Sequence, residues 1–156
     1  MTDDKTELLQ GLLDIEQIKG LKARYFRAID RKEWDAFGDV FAYDAVLEVP
    51  EVDMVTNGRD AIVAFVSGAL EGARTVHHGH MPEIVLISDD RAHGTWAMFD
   101  YVEWPSADSG DRVGLQGFGH YLEEYVKEDG QWRIGRSRLE RLRVDPLGVA
   151  LPEAPT

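Results

Sequence analysis

The 156-residue sequence contains no cysteine. That absence excludes disulfides, thiolate nucleophiles and cysteine-ligated metal sites together. No apolar run approaches the ~18 residues that a membrane-spanning helix needs, so no membrane is expected as a partner. Positive charge is scarce as well. Only 17 Lys and Arg stand against 29 Asp and Glu, a formal net charge of −12. Such a chain repels phosphate backbones, which argues against nucleic acid. An uncharged or weakly charged small ligand suits this balance better. Residues 1–6 are acidic and polar and lack the basic-then-apolar pattern of a secretory leader, which makes a cytoplasmic location the expectation. Internal repeats and low-complexity tracts are absent too.

What is present describes one globular domain. Hydrophobic residues make up 44% of the chain and charged residues 29%, ordinary values for a folded protein of this size. Leu8, Leu12, Ile15, Ile18, Lys22, Tyr25 and Ile29 fall three or four apart, which predicts a helix over 6–29. Lys22 interrupts this stripe and implies a face not wholly buried. Trp34, Phe37 and Phe41 step in the same way and predict a second, short helix. Residues 45–49 read as a strand, Asn57-Gly58 as a turn, and residues 60–70 as a third helix weakened at its end by Gly68. From Arg74 the period changes. Strand-like runs over 75–88, 92–104, 113–127 and 132–144 are separated by turn residues, the last separator carrying the hairpin signal Asp129-Gly130. Three helices and then four long antiparallel strands describe an α+β domain with its helices on one face of a sheet. Gly79, Gly94, Gly114, Gly117 and Gly119 predict bulges and bends that curve this sheet around a cavity. The domain covers residues 1–145. Residues 146–156 form a proline-rich tail that can fold back as a pocket lid or rim.

Several polar residues fall inside otherwise apolar elements. Asp30 ends the first helix, where the macrodipole disfavours a carboxylate and a cationic partner is wanted. Asp30-x-x-Glu33 is also a capping-box spacing, so Asp30 equally reads as the N-cap of the second helix. His77 opens the run His77-His78-Gly79-His80. Alternation puts His78 and His80 on one strand face and His77 on the other with Gly79. Asp100 shares a strand face with Trp96 and Met98, at the edge of an apolar wall. Tyr25 lies on the apolar stripe of the first helix and reads first as core. The last strand carries Arg133, Arg136, Arg138, Arg141 and Arg143. Most are expected to pair across the sheet with Glu123, Glu124, Glu128 or Glu140, leaving one to face inward. His78-x-His80 has a metal-pair spacing, with Asp100 or His93 to complete it. Without a helical His-Glu-x-x-His and without cysteine, no metal is expected.

Four motifs in order carry a family resemblance: Tyr25-Phe26-Arg27-Ala28-Ile29-Asp30-Arg31-Lys32-Glu33-Trp34-Asp35, Thr75-Val76-His77-His78-Gly79, Trp96-Ala97-Met98-Phe99-Asp100 and Gly130-Gln131-Trp132-Arg133-Ile134. Over residues 8–145 the chain resembles SnoaL-like proteins of the nuclear transport factor 2 superfamily. It looks most like the subgroup of scytalone dehydratase, bile acid 7α-dehydratase and hexachlorocyclohexane dehydrochlorinase. The resemblance implies a cone-shaped α+β barrel, with three helices packed on a strongly curved, mostly antiparallel sheet that encloses a pocket. It implies a catalytic pair at Asp30 and His77, with Tyr25, Asp100 and a last-strand arginine beside it. Counting places that arginine near Arg141, with Arg138 the near alternative. Phe26, Val49, Trp96 and Met98 are the apolar side chains expected to meet the substrate. The implied activity is a cofactor-independent lyase of the dehydratase kind, acting on a small hydrophobic cyclic substrate such as a steroid, aromatic or polyketide-like molecule. A proton-shuttling isomerase of the ketosteroid kind and a non-catalytic ligand-binding member are the alternatives. A homo-oligomer, dimer or trimer, is also implied. The chain departs from scytalone dehydratase in lacking an asparagine in its late strands.

Overall fold

The computed structural model describes residues 2–105 and 112–148. Helix α1 spans Thr2–Arg31, α2 Trp34–Gly38 and α3 Arg59–Ala69. Six strands follow the helices or lie between them: β1 Phe41–Val49, β2 Met54–Asn57, β3 Arg74–Ser88, β4 Arg91–Pro105, β5 Arg112–Glu128 and β6 Gln131–Leu147. They form one sheet in the order β2-β1-β6-β5-β4-β3. Every pairing is antiparallel except β1 with β6, which is parallel. The two end strands, β2 and β3, do not pair with each other. The sheet is therefore curved and mixed but not closed, the cone-shaped α+β arrangement with helices on one face.

The core sits between α1 and the concave face of the sheet. On α1 the buried positions are Asp14, Ile18, Leu21, Lys22, Tyr25, Ala28 and Ile29, a stripe of helical period. Leu8 and Leu12, expected on this stripe, are exposed. Facing α1 across the core are Trp96, Met98, Tyr121, Tyr125, Trp132 and Ile134. Register shifts in β3 between His80 and Glu83 and in β5 between Phe118 and Gly119 bend the sheet, as bulges do.

Several expectations need correction. Phe41 begins β1 rather than ending α2, because Val40 already accepts a backbone hydrogen bond from Ile134 at 2.8 Å. Strand β2 is an addition. It pairs with β1 across a short 3-10 turn at Pro50–Val52. Strand β6 runs on to Leu147, where the tail was expected to begin. The rest of that tail, residues 149–156, lies outside the described residues. No described helix is long and apolar enough to cross a membrane.

The end of α1 positions the site. Lys32 adopts a left-handed backbone with φ of 59°. Its N–H donates to the Ile29 carbonyl at 3.3 Å, and the Glu33 N–H reaches the Ala28 carbonyl at 2.9 Å. These two bonds are the Schellman pattern, with Lys32 where glycine is usual. Asp30 is thereby the last fully helical residue. The N-cap of α2 is Glu33, without a side-chain cap, so the capping-box reading of Asp30 does not hold.

Candidate active site

Asp30 and His77 meet across the gap between α1 and β3. The Asp30 carboxylate takes three hydrogen bonds from one strand. Its Oδ1 accepts from His77 Nδ1 at 2.7 Å and from Thr75 Oγ1 at 2.9 Å. Its Oδ2 accepts from the His77 backbone N–H at 2.9 Å. Burial pushes the Asp30 pKa up, but the side-chain and backbone hydrogen bonds from His77 and the bond from Thr75 outweigh it. The carboxyl is held below its usual range. An ionised Asp30 can only accept, so His77 Nδ1 carries a proton, and in the neutral imidazole the lone pair is then on Nε2. No hydrogen bond reaches Nε2 among the described residues. Every buried polar side-chain atom described has a partner, so Nε2 touches solvent although the His77 side chain is only 7% exposed.

Asp100 lies opposite His77 in the β3–β4 register. It is 1% exposed and paired with Arg141, whose Nη2 and Nε both reach its carboxylate. Burial works against the charge on Arg141, but Asp100 and Glu51 hold its pKa above the ordinary value. Arg141 Nη1 reaches Glu51 at 2.6 Å, tying the 3-10 turn to β6. The space over Gly117 holds this pair. A Cβ there would lie 2.0 Å from Asp100 Oδ1. Arg138 instead pairs with Glu140 at 2.6 Å and Glu48 at 3.3 Å, so Arg141 is the arginine that meets Asp100.

Tyr25 is buried, with its ring edge-on to that of Tyr121 at 6.0 Å between centroids. Burial first, and the nearby Glu123 carboxylate second, push its pKa up. Beneath both rings lies the largest surprise. Lys22 is fully buried, with Nζ 2.6 Å from Glu123 Oε1. That ammonium sits 3.9 Å from the Tyr25 ring centroid and 3.7 Å from that of Tyr121, a cation–π arrangement. Glu123 also accepts from Ser137 at 2.9 Å and from the Tyr125 hydroxyl at 2.6 Å. The expectation that Lys22 marks an exposed face fails because its partner lies 101 residues away on β5. For the same reason Glu123 is not available to an arginine. Arg136 turns instead to Glu48, which the parallel β1–β6 pairing brings alongside.

Trp96 and Met98 face inward on β4, and Trp96 Nε1 donates to the Tyr125 hydroxyl at 2.8 Å. Phe26 lies against the bare backbone of Gly79, where a Cβ would be 2.6 Å from its ring. Val49 packs on the core at the end of β1. His78 and His80 lie on the outer face, with ring centroids 5.7 Å apart. Asp100 faces the other way, so the histidine pair is not completed as a metal site. No group of three or more metal-ligating side chains converges among the described residues. A cleft of about 750 Å³ lies between α1, α2 and the β5–β6 turn, lined by Arg24, Arg27, Trp132 and Arg133 among others. Neither Asp30 nor His77 lines it, and Phe26 fills the space beside them.

The sequence reading gave no site role to Thr75, Lys32 or Tyr121, and assigned Lys22 and Glu123 to other surroundings. Only Thr75 carried a usable signal, two residues before His77 and thus on the same strand face.

The helices, the sheet order and the inward aspartate–histidine pair define a nuclear transport factor 2-like α+β domain. Residues 10–138 match the SnoaL-like domain, and the chain belongs to that family. The chain is 27% identical over 142 residues to the probable cyclase FGR4 of Gibberella zeae, covering 85% of this chain and 93% of that one. A candidate scytalone dehydratase from Novosphingobium aromaticivorans superposes with a TM-score of 0.78 at 22% identity, over 96% of this chain and 94% of the other. A type 2 hexachlorocyclohexane dehydrochlorinase, LinA, superposes with a TM-score of 0.79 at 17% identity, over 94% and 97% of the two chains. At those identities the two structures establish the shared fold.

Proposed function

We propose that this protein is a cofactor-independent lyase of the dehydratase kind, with His77 as the base. The observation that carries this reading is the state of the imidazole. Nδ1 is tied to an ionised Asp30, while Nε2 is unpartnered and accessible. Nε2 removes a proton from a substrate carbon next to a carbonyl. The C–H electrons form a new double bond as a hydroxyl on the neighbouring carbon departs. Nε2 then returns the proton to that hydroxyl, which leaves as water. Asp30 stabilises the transient imidazolium and keeps the ring oriented. Tyr25, with Tyr121 behind it, donates to the substrate carbonyl as negative charge builds there. Asp100 and Arg141 position the substrate, and Phe26, Trp96 and Met98 supply apolar contact. The substrate is a small, hydrophobic, cyclic molecule bearing a hydroxyl and a carbonyl. No step calls for a metal or cofactor. We also propose a homo-oligomer, supported by Val76, Val85, Ile87 and Phe118 exposed on the sheet.

The isomerase alternative needs a carboxyl with a raised pKa. Asp30 is instead saturated by donors and shifted down, and Asp100 is held by Arg141. Ligand binding without catalysis is the second reading, and the observation that favours it is Phe26 packed over Gly79 beside the pair. The test is a mass-spectrometric screen of hydroxylated cyclic ketones with the wild type, His77→Ala and Asp30→Asn. The dehydratase reading expects a product lighter by one water from the wild type alone. Products of unchanged mass would support isomerisation. Equal turnover by His77→Ala would remove His77 from the chemistry.

A further inference from the structure

We propose that Thr75 and Lys32 are positioning residues, a hydrogen-bond relay that fixes the Asp30 carboxylate and, through it, the tautomer of His77. This rests on the reading of His77 as the base. The relay follows from the inventory of protons. Lys32 Nζ donates to Thr75 Oγ1 at 2.7 Å. An ammonium has donors only, so the Thr75 hydroxyl must accept there. Its single proton is then directed to Asp30 Oδ1, 2.9 Å away. A hydroxyl free to rotate could turn that proton elsewhere. With Lys32 in place it cannot do so without losing a charge-assisted bond.

The backbone of Lys32 gives an independent reason. The residue occupies the left-handed position of a Schellman motif, with φ of 59°. Glycine fills that position without steric cost, and a lysine there is strained by about 1 kcal/mol. Nor does this side chain extend into water. It folds back so that Nζ also donates to the Ile29 carbonyl at 3.1 Å. Burial lowers its pKa, with Asp30 opposing that shift. A local rule broken at a helix end, one residue from the Arg31 that follows Asp30, marks a side chain retained for what it contacts. The ammonium that caps α1 and the hydroxyl that orders Asp30 thus act in one chain: Lys32, Thr75, Asp30, His77.

The two roles of Lys32 separate experimentally. If it serves only as a helix cap, Lys32→Gly is the better residue and leaves His77 untouched. If the relay operates, Lys32→Gly keeps or raises the denaturant midpoint yet loosens the imidazole. Nitrogen-15 NMR of imidazole-labelled protein reads this directly, without any substrate. Wild type should show one tautomer with a slowly exchanging Nδ1 proton. Lys32→Gly and Thr75→Val should speed that exchange by about tenfold, the weight of one lost hydrogen bond. Thr75→Ser, which keeps the hydroxyl, should match wild type. The proposal is overturned if Nδ1 exchange in Lys32→Gly equals that of wild type, or if Thr75→Ser behaves like Thr75→Val. Should Thr75→Val fail to fold, Lys32→Gly and Thr75→Ser decide alone. Wild-type exchange in Lys32→Gly, together with dead turnover in His77→Ala, defeats the relay and spares the base. Loosened exchange with no dehydration by any form does the reverse.

Discussion

Two pairs of opposite character tie α1 to the sheet, and they are built differently. Lys22 and Glu123 meet with both side chains at 0% exposure. Glu123 accepts from Lys22, Ser137 and Tyr125, and two tyrosine rings cover the ammonium. Asp30 and His77 meet two turns further along the helix, with the Asp30 side chain 24% exposed. Asp30 is as fully satisfied as Glu123, but the imidazole keeps one nitrogen free. The first pair has nothing left to give a substrate. The second has one lone pair, held in a fixed direction beside an interior of aromatic and apolar side chains. A charged group becomes reactive here through one unmet valence, and burial alone does not supply that.

The largest expected effect separates the pairs by activity. His77→Ala should lower dehydration by about 10²–10⁴-fold, the usual worth of a positioned general base. Its stability should change by no more than about 1–2 kcal/mol in urea unfolding. Lys22→Met should invert that profile. It strands a buried carboxylate and should cost about 3–5 kcal/mol in the same measurement. Lys22→Met combined with Glu123→Gln should recover part of this loss, since no uncompensated charge remains. An additive double variant would break the comparison by showing that the two side chains act independently.

A smaller effect concerns access. Gly79→Ala places a Cβ 2.6 Å from the Phe26 ring, so the ring must move or β3 must shift. A loss of about 1–3 kcal/mol is expected, and a crystal structure of the variant would show which element yields. The smallest effect is on pH. Asp30 has a folded pKa below its unfolded value near 3.9. Its stabilisation is complete above that unfolded value and is lost as pH falls through the folded one. The stability difference between wild type and Asp30→Asn should therefore shrink on acidification. A difference that grows in acid would reverse the sign assigned to Asp30.

Much of this was legible before the structure, because helical and strand periods are local. The three helices and the four long strands follow from spacing, which also groups Trp96, Met98 and Asp100 on one strand face, whereas the choice of His77 over His78 and His80 came from the family resemblance. Phe41 was misplaced because its step of four from Phe37 continues a helical pattern that the backbone abandons at Val40. Lys22 was misread because a charge in an apolar stripe reads as exposure until its partner is known, and Glu123 is a strand away. Thr75 and Lys32 lie within the motifs, but nothing in those motifs assigns either a role. A hydroxyl and an ammonium become informative only when proton counting fixes their direction.

The central claim is that His77 Nε2, and no carboxylate, removes the proton. Deuterium exchange tests it most directly. A cyclic ketone is incubated in D₂O with the protein, and label entering the carbon next to its carbonyl is followed by NMR. The account predicts exchange with wild type and with Asp100→Asn, and none above background with His77→Ala. Exchange that survives in His77→Ala and vanishes in Asp100→Asn would contradict it and place the base on a carboxylate.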